Sequence, residues 1–279
     1  QKIGIVGVGL MGLGIAANIL KKGWPLAFLD HPGNQPTDGL VAAGAVVGRT
    51  PRELAAGSDV VILCVTGAPQ VEAVLTGADG VIAGLRPGGV VIDCSTSLPE
   101  TTRSLAALVE AAGGRMLDAP MTRTPKEAME GRLNLLVGGD RALFEAHLDL
   151  LRSFAENITH AGAIGSGHAL KLLHNFVSLG FSAVLIEAAA AAGKAGIDPA
   201  VFHDVLAKGG GAGVVLDRLT PYILEKQSGN FRFTISNSAK DLEYYAAMAE
   251  AQGSRATVAT AARDAYKAQV AAGNGASFV

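Results

Sequence analysis

The stretch "GIVGVGLMG", residues 4–12, decides the fold. Gly7, Gly9 and Gly12 stand in the spacing G-x-G-x-x-G, which alone is a weak signal. Its context adds the weight: the strand-like run "KIGIV" (2–6) leads straight into it and the amphipathic "LMGLGIAANILKKG" (10–23) follows. In that setting Gly7 makes a tight turn, Gly9 lets backbone approach a pyrophosphate, and Gly12 lets the helix pack closely on the strand. Leu10 and Met11 lie between the last two, at the helix N-terminus where the anion sits. The competing reading is a glycine-rich turn with no ligand. Asp30 ends the next strand-like run, "PLAFLD" (25–30), 18 residues after Gly12. An acidic side chain there accepts both adenosine ribose hydroxyls of NAD and repels the 2′-phosphate of NADP. NAD is therefore the expected cofactor and NADP the second candidate, since His31 could soften the repulsion and a strand-terminal Asp also serves as a cap or turn residue.

Outward from this motif, β-branched runs alternate with alanine-rich helical stretches through "VVILCV" (60–65), "GVVIDC" (89–94) and "GRMLDAP" (114–120). Such alternation predicts a Rossmann-type parallel sheet with helices on both faces. From about residue 164 the pattern turns to long helical periodicity punctuated by "AGIDPAV", "KGGGAG" and "LTPYI", which predicts an all-α C-terminal domain. The three glycines of "HAGAIGSG" (160–167) mark the change, so the domains are placed at 1–162 and 163–279. The run "AAAAAG" (188–193) reads as tightly packed helix rather than linker.

A chain of 279 residues has room for two domains of roughly 100–200 residues each. Its 23 basic and 25 acidic residues leave a net charge of -2, so no long-range field favours nucleic acid or an anionic membrane, and a small molecule is the expected partner. Cys64 and Cys94 both sit in apolar, strand-like runs and read as reduced, buried hydrophobes, consistent with a cytoplasmic protein. No basic leader precedes an apolar stretch at the start, and the most apolar later run, "LGFSAVLIEAAAAAG", is broken by Ser182 and Glu187, so neither a signal peptide nor a membrane span is expected.

The chemistry concentrates in "GSGHALKLLHN" (165–175). Lys171 and Asn175 are four apart and share one helix face among leucines. An arbitrary helical lysine is solvated. This one opens the second domain, where a helix would cross the open edge of the nucleotide-binding sheet. In a partly desolvated cleft beside a positive nicotinamide ring its pKa would fall, fitting it to exchange a proton near neutral pH. His168 and His174 lie close by, but a lone histidine on a packed helix is more often a satisfied core residue. No His, Asp or Glu spacing suggests a metal ligand set.

"GIVGVGLMGLGIAANILKKG", "DAPMT…EGRLNLLVGG", "GSGHALKLLHN" and "AKDLEYYAAMA", in that order, resemble the β-hydroxyacid dehydrogenases, the group that includes 3-hydroxyisobutyrate dehydrogenase and tartronate semialdehyde reductase. The resemblance covers nearly the whole chain. It implies a Rossmann-type domain followed by an all-helical domain that commonly mediates dimers or tetramers. It places Lys171 on the catalytic lysine, Asn175 on the substrate-orienting asparagine and Thr122 on the substrate-holding serine of P-V-S-G-G. Lys240 falls on a lysine near the nicotinamide, and Thr66 and Thr96 on cofactor contacts, though both are also ordinary strand-end polar residues. The implied reaction is hydride transfer between a nicotinamide cofactor and a small anionic 3-hydroxy acid or its semialdehyde, with Lys171 exchanging the hydroxyl proton.

The family's P-V-S-G-G becomes "PMTRT" (120–124) here, replacing two glycines with Arg123 and Thr124. "TPKE" (124–127) has the form of a capping box, which sets Arg123 just before a helix N-terminus and beside Thr122. A guanidinium there suits a carboxylate, sulfonate or phosphate. The similar P-V-G-R-T segment of sulfolactaldehyde reductases implies a sulfonate substrate as one alternative. The competing reading pairs Arg123 with Glu127 or Glu130, or leaves it facing solvent. Two further alternatives remain: an imine reductase, which typically lacks the lysine, and a non-catalytic dimeric scaffold that keeps the fold.

Overall fold

The computed structural model describes residues 1–279, which divide into two compact units, Gln1–Lys171 and Leu172–Val279. In the first unit, strands β1 (Ile3–Val6), β2 (Leu26–Leu29), β3 (Val46–Gly48), β4 (Val60–Leu63), β5 (Val90–Asp93) and β6 (Arg115–Asp118) are parallel. Helices α1 (Gly12–Lys21), α2 (Asp38–Ala42), α3 (Pro51–Ala56), α4 (Ala68–Thr76), α5 (Val81–Gly84) and α6 (Pro99–Ala111) connect them. Their spatial order is β3-β2-β1-β4-β5-β6. Because the central strands are covered on both sides, they read as continuous apolar runs rather than alternating ones. Along β4, Val60 and Ile62 pack with Ile15 and Ile19 of α1, whereas Val61 and Leu63 join Leu54, Val71 and Leu105 on the opposite face.

Beyond β6 the sheet departs from the all-parallel expectation. β7 (Met121–Thr122), α7 (Pro125–Met129), β8 (Leu133–Gly138), α8 (Arg141–Ala146), α9 (Leu148–Leu151) and β9 (Ala155–Gly162) follow. β8 runs antiparallel to both β6 and β7, and β9 then pairs parallel with β8. A two-residue strand such as β7 carries no periodicity of its own; its pairing with β8 defines it.

α10 (Ser166–Lys194) follows β9, which ends at Gly162, and the two compact units meet within this helix. α11 (Pro199–Ala207), α12 (Val214–Glu225), α13 (Ile235–Ala251), α14 (Thr257–Gln269) and a π-helical turn (Val270–Asn274) complete the second unit. Its core joins Leu179 and Leu185 of α10 to Leu216, Leu219 and Ile223 of α12, Leu242 of α13 and Tyr266 of α14. By length and composition alone α10 is long and apolar enough to cross a membrane, with a mean hydropathy of 1.7. Ser182 does not interrupt it: the residue is buried and its hydroxyl meets the Tyr266 hydroxyl at 2.6 Å. The alanine run at 188–193 is helical as expected but not tightly packed, for Ala190 and Ala191 are exposed and Ala192 alone is buried.

Candidate active site

The order of the parallel strands reverses between β1 and β4, and their carboxyl ends all open on one edge. In an open α/β sheet that switch point is where a ligand binds. The glycine loop leaves β1 there, Asp30 follows β2, Thr66 lies three residues past Leu63 of β4, and Thr96 three past Asp93 of β5. The sheet thus brings these predicted cofactor residues, though not Lys240 of the second unit, to one edge, with Asp30 and Thr66 exposed and Thr96 half-buried. The Val65 N–H donates to the Ser95 hydroxyl at 3.0 Å and ties the last two loops together.

The glycine loop fits a dinucleotide. Gly7 has φ +95°, and a Cβ there would lie 2.3 Å from the Cys64 carbonyl oxygen; a Cβ on Gly12 would lie 1.9 Å from the Gly7 oxygen. Packing requires both glycines. A Cβ on Gly9 would meet nothing within 4 Å, so this backbone is open to a ligand. α1 has no acidic residue in its first turn to oppose an anion at its N-terminus. Cys64 and Cys94 are free thiols; burial, with Asp93 nearby, pushes the Cys64 thiol up to about 12, which keeps it un-ionised at neutral pH.

Lys171 sits near the start of α10, 8 % exposed. Asp118, the last residue of β6, anchors the helix end beneath it: one carboxylate oxygen accepts the Gly165 N–H at 2.7 Å and the other the His168 N–H at 2.8 Å. His168 itself is fully buried, its Nδ1 2.8 Å from the Thr102 hydroxyl and its Nε2 donating to the Ser95 carbonyl at 3.1 Å. This histidine is a satisfied core residue, as its sequence setting predicts. It also holds the helix that carries Lys171, a role no spacing rule announces. Asp93, buried beside it, has its carboxyl held above the ordinary range by desolvation, with the imidazole opposing.

Thr122 is half-buried, its hydroxyl accepting from Asn134 Nδ2 at 3.0 Å, which leaves the hydroxyl proton to be donated elsewhere. Arg123 does not take the expected partners. Glu127 closes the capping box on Thr124, with the Thr124 hydroxyl the main influence holding its carboxyl low, and Glu130 pairs with Arg132. The Arg123 guanidinium instead donates to Glu156 on β9 and to the Arg132 carbonyl. Its φ of 81° is left-handed, the region glycine favours, and the helix that follows has only five residues.

In the second unit, Asn175 and Lys240 converge on a residue that the sequence reading passed over. Asp241, 2 % exposed on α13, accepts the Asn175 Nδ2 proton at 2.6 Å and meets Lys240 Nζ at 2.7 Å. A carboxylate only accepts, so the Asn175 amide must turn its nitrogen to Asp241 and its oxygen towards His174 Nδ1, 3.0 Å away. Asp241 follows Lys240 directly in "KDL", and an acidic residue beside a site lysine is the signal that could have found it.

The sheet topology and glycine loop define a dinucleotide-binding Rossmann-type fold. Residues 2–162 match the model of the NAD binding domain of 6-phosphogluconate dehydrogenase, and residues 165–277 that of the NAD-binding domain of NADP-dependent 3-hydroxyisobutyrate dehydrogenase. The chain belongs to the β-hydroxyacid dehydrogenase family and binds NAD or NADP. It is 31 % identical over 275 residues to the NAD-dependent L-serine dehydrogenase of Pseudomonas aeruginosa, covering 96 % of this chain and 91 % of the relative. It is 31 % identical over 269 residues to the cytokine-like nuclear factor N-PAC of Homo sapiens, covering 96 % of this chain but 48 % of that protein, so the chain spans about half the length of that relative. Among solved structures, 3-hydroxyisobutyrate dehydrogenase of Mycobacterium tuberculosis with L-serine superposes at a TM-score of 0.89 with 28 % identity, over 100 % of this chain and 96 % of that one.

Proposed function

We propose that this protein oxidises a small 3-hydroxy carboxylate, of the size of 3-hydroxyisobutyrate or L-serine, or reduces the corresponding semialdehyde, with NAD as the preferred cofactor. The observation that carries this reading is Lys171: a lysine 8 % exposed, on a helix anchored by Asp118 to the same sheet edge that bears the glycine loop. When bound, the nicotinamide would supply the hydride acceptor for the carbinol carbon. As the C–H pair leaves, the hydroxyl proton passes to the Lys171 amine, and the O–H electrons form the carbonyl; in reverse the lysine returns that proton. By the family resemblance Thr122 and Asn175 would each contact the substrate, and within its own unit each side chain keeps a hydrogen to donate. The family resemblance puts Lys240, here paired with Asp241, on a lysine near the nicotinamide, and Asp30 would accept the ribose hydroxyls. The named relatives support the size class, because L-serine is itself a 3-hydroxy carboxylate. We further propose that the chain assembles as a homodimer or homotetramer through its helical unit.

The test is NADH formation by the wild-type protein from 3-hydroxyisobutyrate, L-serine, D-glycerate, 4-hydroxybutyrate and 2,3-dihydroxypropane-1-sulfonate, each with NAD and NADP. The expected result is a clear preference for one small 3-hydroxy carboxylate, with turnover abolished and NAD binding kept in Lys171→Ala. Turnover by that variant would overturn the proton-exchange role. Preference for the sulfonate would return substrate recognition to Arg123, and silence across the panel would favour a nucleotide-binding scaffold.

A further inference from the structure

We infer that Asn34 is a cofactor-positioning residue that makes the phosphate-binding turn and the loop carrying Asp30 one hydrogen-bonded body, and thereby lets Asp30 discriminate NAD from NADP. The inference rests on the reading of Asp30 as the ribose acceptor. Asn34 lies between β2 and α2, half-buried. Its Oδ1 accepts the Val8 N–H at 3.2 Å, and its Nδ2 donates to the Leu29 carbonyl at 2.9 Å. The two partners fix the amide: an N–H needs the oxygen and a carbonyl needs the nitrogen. The Gln35 N–H adds a 2.8 Å bond to the Val8 carbonyl. Val8, between Gly7 and Gly9, therefore has both backbone groups engaged by residues 34 and 35.

The same contacts immobilise Asp30. Its own N–H donates to the Gly48 carbonyl at 3.0 Å, and the carbonyl just before it is the one Asn34 holds. Between them the turn closes on itself, the Asn34 N–H donating to the His31 carbonyl and the Gly33 N–H to His31 Nδ1, each at 2.9 Å. Two consequences follow. The Val8 N–H is occupied, so the pyrophosphate falls to the backbone from Gly9 onward. And an exposed carboxylate repels a 2′-phosphate effectively only if its backbone cannot swing aside; "DHPGN" (30–34), with Pro and Gly in the turn, would do so without the side-chain bridge.

The test is direct binding, with no substrate present: titration of NADH and NADPH by their fluorescence into wild type, Asn34→Ala, Asp30→Asn and the double variant. Wild type is expected to bind NADH more tightly than NADPH. Asn34→Ala should narrow that ratio by about fivefold, the effect of about one net hydrogen bond, and should leave the ratio unchanged in the Asp30→Asn background. Asn34→Ser, too short to bridge both partners, should behave likewise and serves if the alanine variant does not fold. A parallel change in both dissociation constants, no change, or the same narrowing without Asp30 would overturn the inference. If wild type shows no preference for NADH, the ribose reading of Asp30 fails and this inference with it, while the substrate panel stands as an independent test of the reaction.

Discussion

Arg123 shows how a side chain placed for recognition can also be engaged by the fold. It stands where the resembling family has glycine, and its backbone keeps the glycine-like conformation at φ 81°. A left-handed non-glycine residue costs roughly 1–2 kcal/mol. The guanidinium offsets part of that through Glu156 and the Arg132 carbonyl, although an ion pair whose carboxylate is 47 % exposed contributes at most about 1 kcal/mol. Arg123→Ala keeps the strained backbone and loses both partners. It should lower the urea midpoint of unfolding while changing substrate KM by no more than about twofold, because one hydrogen bond to substrate would be worth about 1.5–3 kcal/mol if the charge took part. A tenfold rise in KM would place the charge on the substrate after all. Arg123→Gly, which relieves the backbone as it removes the pair, should be more stable than Arg123→Ala in the same titration.

At the scale of elements, the decisive feature is how the start of α10 is tied to the end of β6. A helix N-terminus leaves its first N–H groups without intrahelical partners, and Asp118 satisfies the N–H of His168, with that of Gly165 just before the helix, using one oxygen for each. Asp118→Asn retains only one acceptor oxygen. It should destabilise the protein by about 1–3 kcal/mol and, by loosening the helix under Lys171, lower kcat more than it raises the KM for NAD. An unchanged kcat in steady-state assays would separate Asp118 from the placement of the lysine. The capping box at Thr124 was legible beforehand, since N-cap, Pro and Glu lie within four consecutive residues and act on one another. The tether of α10 was not, because Asp118 and His168 are 50 residues apart and meet only when β6 has taken its place in the sheet.

Across the whole molecule, the helical unit exposes large apolar side chains on several helices: Val177 at 68 % and Val184 at 59 % on α10, Val205 at 65 % on α11 and Val214 at 64 % on α12. Such surfaces commonly mark protein–protein contacts. Light scattering on the purified protein is expected to give a dimer or tetramer, and Val184→Glu to shift it towards smaller species; a wild-type monomer at micromolar concentration would remove the assembly from the proposal.

The sequence by itself determined the class of fold and the identity of most candidate site residues, because a strand, a glycine turn and a helix in succession are local features, and so is a lysine one turn before an asparagine. Tertiary structure alone decided the rest. The antiparallel β7–β8 pairing, the anchoring of α10 by Asp118, the commitment of Arg123 to Glu156 and the bond of Asp241 to Asn175 all join residues far apart in the chain. Each depends on where a donor finds its acceptor once the core has closed, and periodicity in one segment carries no information about a partner in another.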